Sequence, residues 1–210
     1  MKGLLLKDFY MTVKSCKMYL VVDLIFIVMS FVLNGKSDYG VIFMMYPVLI
    51  SGVIGISLLN YDEKYNWTKY CGTLPYTTAQ LVISRYIFGL IFQVVTTVIV
   101  FAALIIQVST MGGIVFSEAA TVIGGMDAAA LVITSVGLPL CFRFGTEKGR
   151  VFYYVFVFGM TALLASHSDK LERLIQTNGF IVTAIAAVVV LYVMSMMISI
   201  ALYKTREITG

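Results

Sequence analysis

Charged residues, histidine, cysteine and proline are all scarce in this 210-residue chain. Only 12% of the residues are charged, and the chain has one histidine, three cysteines and three prolines. The cysteines are too widely spaced for a metal cluster, and the lone His167 cannot build a metal site by itself. The sequence also lacks paired carboxylates at catalytic spacing, a Ser/His/Asp set and an HExxH motif. We therefore expect neither catalytic residues nor a metal site.

The chain also lacks the nucleotide-binding loop GxxxxGK[ST]. The most similar segment, GTEKGR from Gly145 to Arg150, has the wrong spacing and no Ser or Thr in the position that holds magnesium. The chain should therefore not bind ATP in the usual way, and we expect no cofactor on it.

Apolar residues are abundant. They make up 60% of the chain, and the mean hydropathy is +0.95. Six runs are long enough to approach or span ~30 Å of hydrocarbon as helices. They cover residues 18–33, 39–59, 86–107, 118–141, 151–166 and 180–203. The sequence predicts an all-α integral membrane protein with six transmembrane helices in one domain, 1–210.

The orientation follows from the Lys and Arg residues that flank these runs. Twelve of the fifteen lie before the first span, between spans two and three, between spans four and five, or after span six. Because positive residues concentrate in cytoplasmic loops, we expect both termini in the cytoplasm. The net charge of +4 then needs no nucleic-acid partner.

Residues 1–17 are basic and amphipathic. Leu5, Phe9 and Val13 share one helical face, while Lys7 and Lys14 lie opposite. This spacing favours a helix lying in the membrane interface. A simple basic flank of the first span is the alternative.

The polar stretch at residues 61–75 predicts a two-faced helix. Trp67, Tyr70 and Cys71 fall on one face, and Asp62, Asn66, Lys69 and Thr73 line another. Pro75 should end this helix, and Thr77 with Gln80 has the spacing of a capping box that starts the next one. From the residues alone, an interfacial anchor and a docking surface for a partner remain open.

Two stretches carry a resemblance to a known family. The first stretch resembles the loop between spans two and three in permease subunits of type-2 ABC exporters. It has acidic residues followed by a lysine, then an aromatic helix, a Leu-Pro pair and the segment QLVISRYIFGL. The opening MKGLLLKDFY is similar to the start of the same group. The chain has PYTTAQ where that group commonly places a Ser-Arg pair after the proline.

The resemblance implies a coupling helix at 61–75 that contacts a separately encoded ABC ATPase. The residues it assigns to this contact are Asp62, Glu63, Tyr65, Asn66, Trp67, Lys69, Tyr70 and Thr73. ATP and magnesium belong to the partner subunit. The resemblance further implies a permease homodimer in the bacterial plasma membrane that exports a peptide or another amphiphilic compound.

Asp127 is the acid nearest the middle of a predicted span. A carboxylate there costs ~3 kcal/mol or more on insertion scales, so it must face protein or water. It either lines a pathway for cargo or holds helices together through hydrogen bonds. Small residues such as Gly52 in span two are expected to permit close helix contact.

The stretch between spans five and six predicts a short amphipathic helix at the outer surface. Leu171, Leu174 and Ile175 share one face of it. In the family that the chain resembles, such helices form an external gate.

Two other functions are compatible with this topology. One is a membrane immunity or sensor protein that binds a peptide without pumping it, which needs no ATPase partner. The other, an intramembrane enzyme, is poorly supported because no pair of polar residues in the spans has catalytic spacing.

Overall fold

The computed structural model describes residues 2–15, 17–33, 39–71, 76–111, 116–149, 151–152, 154–155 and 180–209. The regular structure of these residues is helical. The helices are α1 (Lys2–Ser15), α2 (Lys17–Leu33), α3 (Tyr39–Ser51), α4 (Ile54–Lys64), α5 (Trp67–Cys71), α6 (Thr78–Met111), α7 (Phe116–Phe144) and α8 (Phe180–Thr209). Residues 146–149 begin a further helical stretch.

Three described helices, α6, α7 and α8, are long and apolar enough to cross a membrane. Two bent pairs, α1 with α2 and α3 with α4, raise this number to five if each pair is one span. The predicted class, an all-helical membrane protein, is confirmed at this level. The predicted fifth span, 151–166, lies almost entirely outside the described residues, so the count of six stays a prediction.

Span two is broken in its middle. Helices α3 and α4 meet at Gly52 and Val53 with a bend of 46°. A Cβ on Gly52 would lie 2.6 Å from the carbonyl oxygen of Ala130 in α7, so only glycine permits this contact. Thr134 Oγ1 donates a 2.8 Å hydrogen bond to the Gly52 carbonyl that the break releases. Pro47, a residue type that often bends helices, lies inside α3, five residues before Gly52.

Polar side chains join the long helices inside the bundle. Tyr86 of α6 lies 2.7 Å from the hydroxyls of both Ser195 and Ser199 of α8. Nearer the other end, Gln107 Nε2 of α6 donates to Ser30 Oγ of α2 over 2.8 Å. Because lipid offers these groups no partners, pairing them between helices fixes which faces meet.

Helix α1 lies at 63° to α2 and presents two different faces. Leu4, Asp8 and Thr12, one turn apart, are each 3% exposed or less and face the bundle. Phe9 and Val13, on the predicted apolar face, are about half exposed and point away from it. The outward apolar side suits contact with lipid, whereas the inward side carries an acid into the protein.

Candidate functional site

The polar stretch after span two does not form the single helix predicted for 61–75. Helix α4 continues to Lys64, and the chain then turns at Tyr65 and Asn66. Asn66 has a φ of 54°, in the left-handed region that Asn tolerates better than most residues. The short α5 follows and ends at Cys71. The continuous helix is therefore a wrong prediction, and residues 72–75 lie outside those described.

The start of α6 follows the predicted capping box. The Thr77 backbone N–H donates to Gln80 Oε1 over 3.2 Å, and the Gln80 N–H donates to Thr77 Oγ1 over 3.3 Å. These reciprocal bonds satisfy two amides that a helix start would otherwise leave without acceptors. This prediction is confirmed. The cap fixes the first turn of α6, and Arg85 lies two turns further along the same helix.

Four charged side chains from three helices meet beside α5; we call Lys7, Asp8, Asp62 and Arg85 the charged junction. Arg85 Nη1 lies 2.6 Å from Asp8 Oδ1, and Arg85 Nη2 also pairs with Asp62. Lys7 Nζ donates to Asp62 Oδ1 over 2.8 Å and lies 3.5 Å from Asp8 Oδ1. The junction thus links α1 to the last turns of α4 and the first turns of α6.

The junction is largely closed to solvent. The side chains of Asp8, Asp62 and Arg85 are 1%, 4% and 5% exposed, and that of Lys7 is 18% exposed. Burial raises the pKa of Asp8, although the cations of Arg85 and Lys7 oppose this rise. Burial, assisted by the Arg85 cation, lowers the pKa of Lys7 from 10.5 to about 8. The charges of the two acids and two bases nevertheless cancel, which lowers the free-energy cost of burying the four side chains.

Trp67 covers the junction from the side of α5. Lys7 Nζ lies 4.3 Å from the centre of the Trp67 ring, within range of a cation–π interaction. A cavity of about 20 Å³ lies among these groups, with Leu59, Cys71 and Phe142 also in its wall. That volume is enough for one water molecule next to the carboxylates.

The predicted ATPase-contact residues do not share one surface. Tyr65 and Tyr70 are 64% and 59% exposed, Asn66 is exposed, and Trp67 is partly buried. Asp62 is 3% exposed and turned into the junction, so the expectation that it lies on the outer polar face is wrong. The side chain of Lys69 and all of Thr73 lie outside the described residues.

The Glu63 side chain points toward a second polar stretch, residues 143–149, which starts at the end of α7. Its Oε2 accepts hydrogen bonds from the Thr146 backbone N–H over 2.8 Å and from Thr146 Oγ1 over 2.6 Å. A cleft of about 490 Å³ opens beside this contact. Its wall contains Asn60, Glu63, Lys64, Phe144, Gly145, Thr146, Glu147 and Lys148.

Asp127 is held by α6. Gln93 Nε2 donates to Asp127 Oδ1 over 2.7 Å and to the Asp127 carbonyl over 2.8 Å, and Thr97 Oγ1 donates to the same carboxylate oxygen over 2.9 Å. These bonds support the interpretation that Asp127 joins helices, while leaving its predicted pathway role a prediction. The predicted external gate, Leu171, Leu174 and Ile175, lies outside the described residues.

Sequence reasoning missed three members of the charged junction, Lys7, Asp8 and Arg85. One signal was present for Asp8, which stands four residues after Leu4 and four before Thr12, on the face that proves to be buried. An acid on such a helical row needs a buried partner, either a cation or hydrogen-bond donors. The sequence does not say which partner, because Arg85 lies 77 positions away.

Comparison with known proteins adds the family. The family model described as ABC-2 family transporter protein matches residues 3–204, nearly the whole chain. Searches of curated proteins and of solved structures gave no significant match. The family and the apolar helices together imply a multi-pass membrane protein that serves as the permease component of an ABC transporter and works with an ABC ATPase subunit. This chain belongs to the ABC-2 family of transporter proteins.

Proposed function

We propose that this chain is the membrane-spanning subunit of an ATP-driven exporter that moves an amphiphilic cargo, a peptide or an antimicrobial, out across the bacterial plasma membrane. ATP and magnesium bind to a separate ATPase subunit in the cytoplasm. The segment from Asp62 to Thr73 passes the movement of that subunit to the membrane helices.

One observation carries this proposal: the exposed turn at Tyr65 and Asn66 is attached to three helices through a buried set of charges. Asp62 lies less than one helical turn before Tyr65, and it pairs with Arg85 of α6 and Lys7 of α1. A force on the turn is therefore delivered to α4, α6 and α1 together. Such a rigid connection is what mechanical coupling between subunits requires.

The surface available to the ATPase is aromatic and polar. Tyr65 and Tyr70 expose most of their rings on either side of Asn66. Exposed tyrosines combine a large apolar area with a hydroxyl and are enriched in protein interfaces.

The helices leave room for a second copy of the chain. In the described residues, only 33%, 28% and 11% of the apolar windows of α6, α7 and α8 are buried. The six spans predicted for one chain are also few to enclose a pathway. We therefore place the pathway in a complex of two permease chains and two ATPases.

The test is to purify the permease together with its ABC ATPase subunit. The variant Tyr65→Ala/Tyr70→Ala should bind the ATPase about tenfold more weakly, because clustered aromatic anchors dominate most interfaces. Tyr46→Ala is the matched control, because this exposed tyrosine lies within a membrane helix. Unchanged binding of the double variant would refute the contact.

Two further measurements complete this test. In inside-out vesicles, an impermeant maleimide should label Asn66→Cys, whereas labelling only from the outer side would place the turn on the wrong face. Reconstituted with its permease, the ATPase should hydrolyse ATP at a rate that depends on the permease. A rate unaffected by the permease would favour a protein that binds peptide without pumping it.

A further inference from the structure

The polar stretch after span two contacts a second polar stretch, residues 143–149, through one acid, Glu63. Glu63 stands in the last turn of α4, and Thr146 begins the helical stretch that follows α7. Both donors of Thr146, its N–H and its hydroxyl, reach the same oxygen of Glu63, at 2.8 and 2.6 Å. Thr146 is 1% exposed, so water does not replace these bonds. Asn60 Oδ1, one turn before Glu63, lies 3.2 Å from the same hydroxyl.

This contact supplies a cap that the local sequence lacks. The first amides of a helix need an acceptor, which a Ser, Thr, Asp or Asn just before the helix usually provides. Here that position is Gly145, which has no side chain and adopts a φ of 82°. The acceptor comes instead from a residue 83 positions earlier in the chain. The carboxylate is also favoured at a helix start by the helix dipole.

The capped stretch is fixed in turn to α7. The Gly145 N–H donates to the Cys141 carbonyl over 2.9 Å, which continues the last turn of α7. A Cβ on Gly149 would lie 2.7 Å from the Cys141 Cα, so the two backbones are in direct contact. Displacement of Thr146 therefore displaces the end of α7 as well.

We propose that Glu63 and Thr146 are positioning residues that couple the two polar stretches, so that a push on the first stretch also moves α7. This inference rests on the proposed function, because the push comes from the ATPase. It assigns Glu63 a role inside the permease, in place of the direct ATPase contact expected from the sequence. The charged junction acts on α1, α4 and α6, whereas the Glu63–Thr146 contact adds α7 to the helices that respond.

The experiment measures hydrogen–deuterium exchange on the complete permease–ATPase complex in lipid nanodiscs. Peptides covering residues 60–71 and 143–149 are compared with and without ATP and vanadate, which trap the ATPase after hydrolysis. The variants are Glu63→Ala, which removes the contact, and Glu63→Gln, which keeps an acceptor oxygen. Glu147→Ala is the matched control, because it removes an exposed acid from the second stretch without touching the contact.

In the wild type and in the Glu147→Ala control, trapping should change exchange in both peptides. In Glu63→Ala the first peptide should still respond, but the response of the second should be lost, and Glu63→Gln should restore part of it. Exchange in peptide 143–149 should also rise about tenfold in untrapped Glu63→Ala, because a hydrogen bond to a charged group has been removed. A purely structural role predicts faster exchange with the response retained.

Each remaining outcome supports or overturns the coupling role of Glu63 and Thr146. A second peptide that responds in Glu63→Ala as in the wild type overturns the coupling role, as does a wild type in which only the first peptide responds. A wild type in which neither responds overturns the proposed function together with this inference. If Glu63→Ala fails to assemble, Thr146→Val keeps the backbone bond to Glu63, removes the hydroxyl bonds to Glu63 and Asn60, and should reduce the second response. An undiminished response in Thr146→Val would overturn the coupling role.

Discussion

Arg85 and Asp62 form a buried ion pair between α6 and α4, at the place where the chain turns back toward the membrane. Their side chains are 5% and 4% exposed. Arg85 also holds Asp8 of α1, so one guanidinium joins three helices. The free energy of unfolding should therefore depend strongly on this residue.

Replacing Arg85 by Met should lower the free energy of unfolding by about 3–5 kcal/mol, because two buried carboxylates then share one lysine. The measurement is denaturant unfolding in detergent micelles. Lys64→Met, which removes an exposed cation nearby, is the control and should change little. Asp62→Asn in the Arg85→Met background should cost less than it does alone, and additive losses would show that the pair does not interact.

The stability of the protein should depend on pH through Lys7. Its pKa is about 8 in the folded protein, against the 10.5 of an unperturbed lysine, which is the value expected for the unfolded chain. Between these values the unfolded chain binds a proton that the folded protein has released, so the free energy of unfolding rises with pH. The difference between wild type and Lys7→Met should therefore shift in favour of the wild type from about pH 8 to about pH 10. Parallel curves for the two proteins would contradict the lowered pKa.

The break in span two should not tolerate a side chain at Gly52. Gly52→Ala places a methyl group against the backbone of Ala130, and relieving that clash should cost about 1–3 kcal/mol. Gly124→Ala in α7 is the matched control, because a Cβ there meets no described atom within 4 Å. Thermal unfolding of the two variants should separate them clearly. Equal midpoints would mean that Gly52 does not pack against Ala130.

Asp127 offers a test between its two interpretations. Asn at this position keeps an oxygen that Gln93 and Thr97 can bond, but it removes the charge. If the residue joins helices, Asp127→Asn should retain permease-dependent ATP hydrolysis, and Asp127→Ala should unfold more easily by about 0.5–2 kcal/mol. Loss of hydrolysis in a stable Asp127→Asn protein would instead support a charge requirement in the pathway.

The sequence was a good guide to features that depend on neighbouring residues. Apolar runs indicated the all-helical membrane class, and the spacing of Thr77 and Gln80 identified the start of α6. The close approach expected at Gly52 is also present. Each of these follows from local geometry that repeats in every helix.

Features that depend on distant partners were not predictable in the same way. Helical periodicity assigned Asp62 to an outer polar face, because a pattern of polar residues normally marks a solvated side. The buried cations that reverse this assignment come from Lys7 and Arg85, 55 and 23 positions away. The Glu63–Thr146 contact spans 83 positions, and nothing in either stretch alone identifies its partner.

Two of the three helices joined at the charged junction, α4 and α6, differ in how continuous they are. Helix α6 is unbroken over 34 residues, or roughly 50 Å at ~1.5 Å per residue, against ~30 Å of hydrocarbon. Under the proposed function, a tilt imposed at its first turn would be carried along the whole helix. Helix α4 begins just after the bend of 46° at Gly52 and Val53, where the same tilt would change the angle between α3 and α4. Under the proposed function, α6 would act as a rigid connection along its whole length, whereas α4 would act as a hinged one.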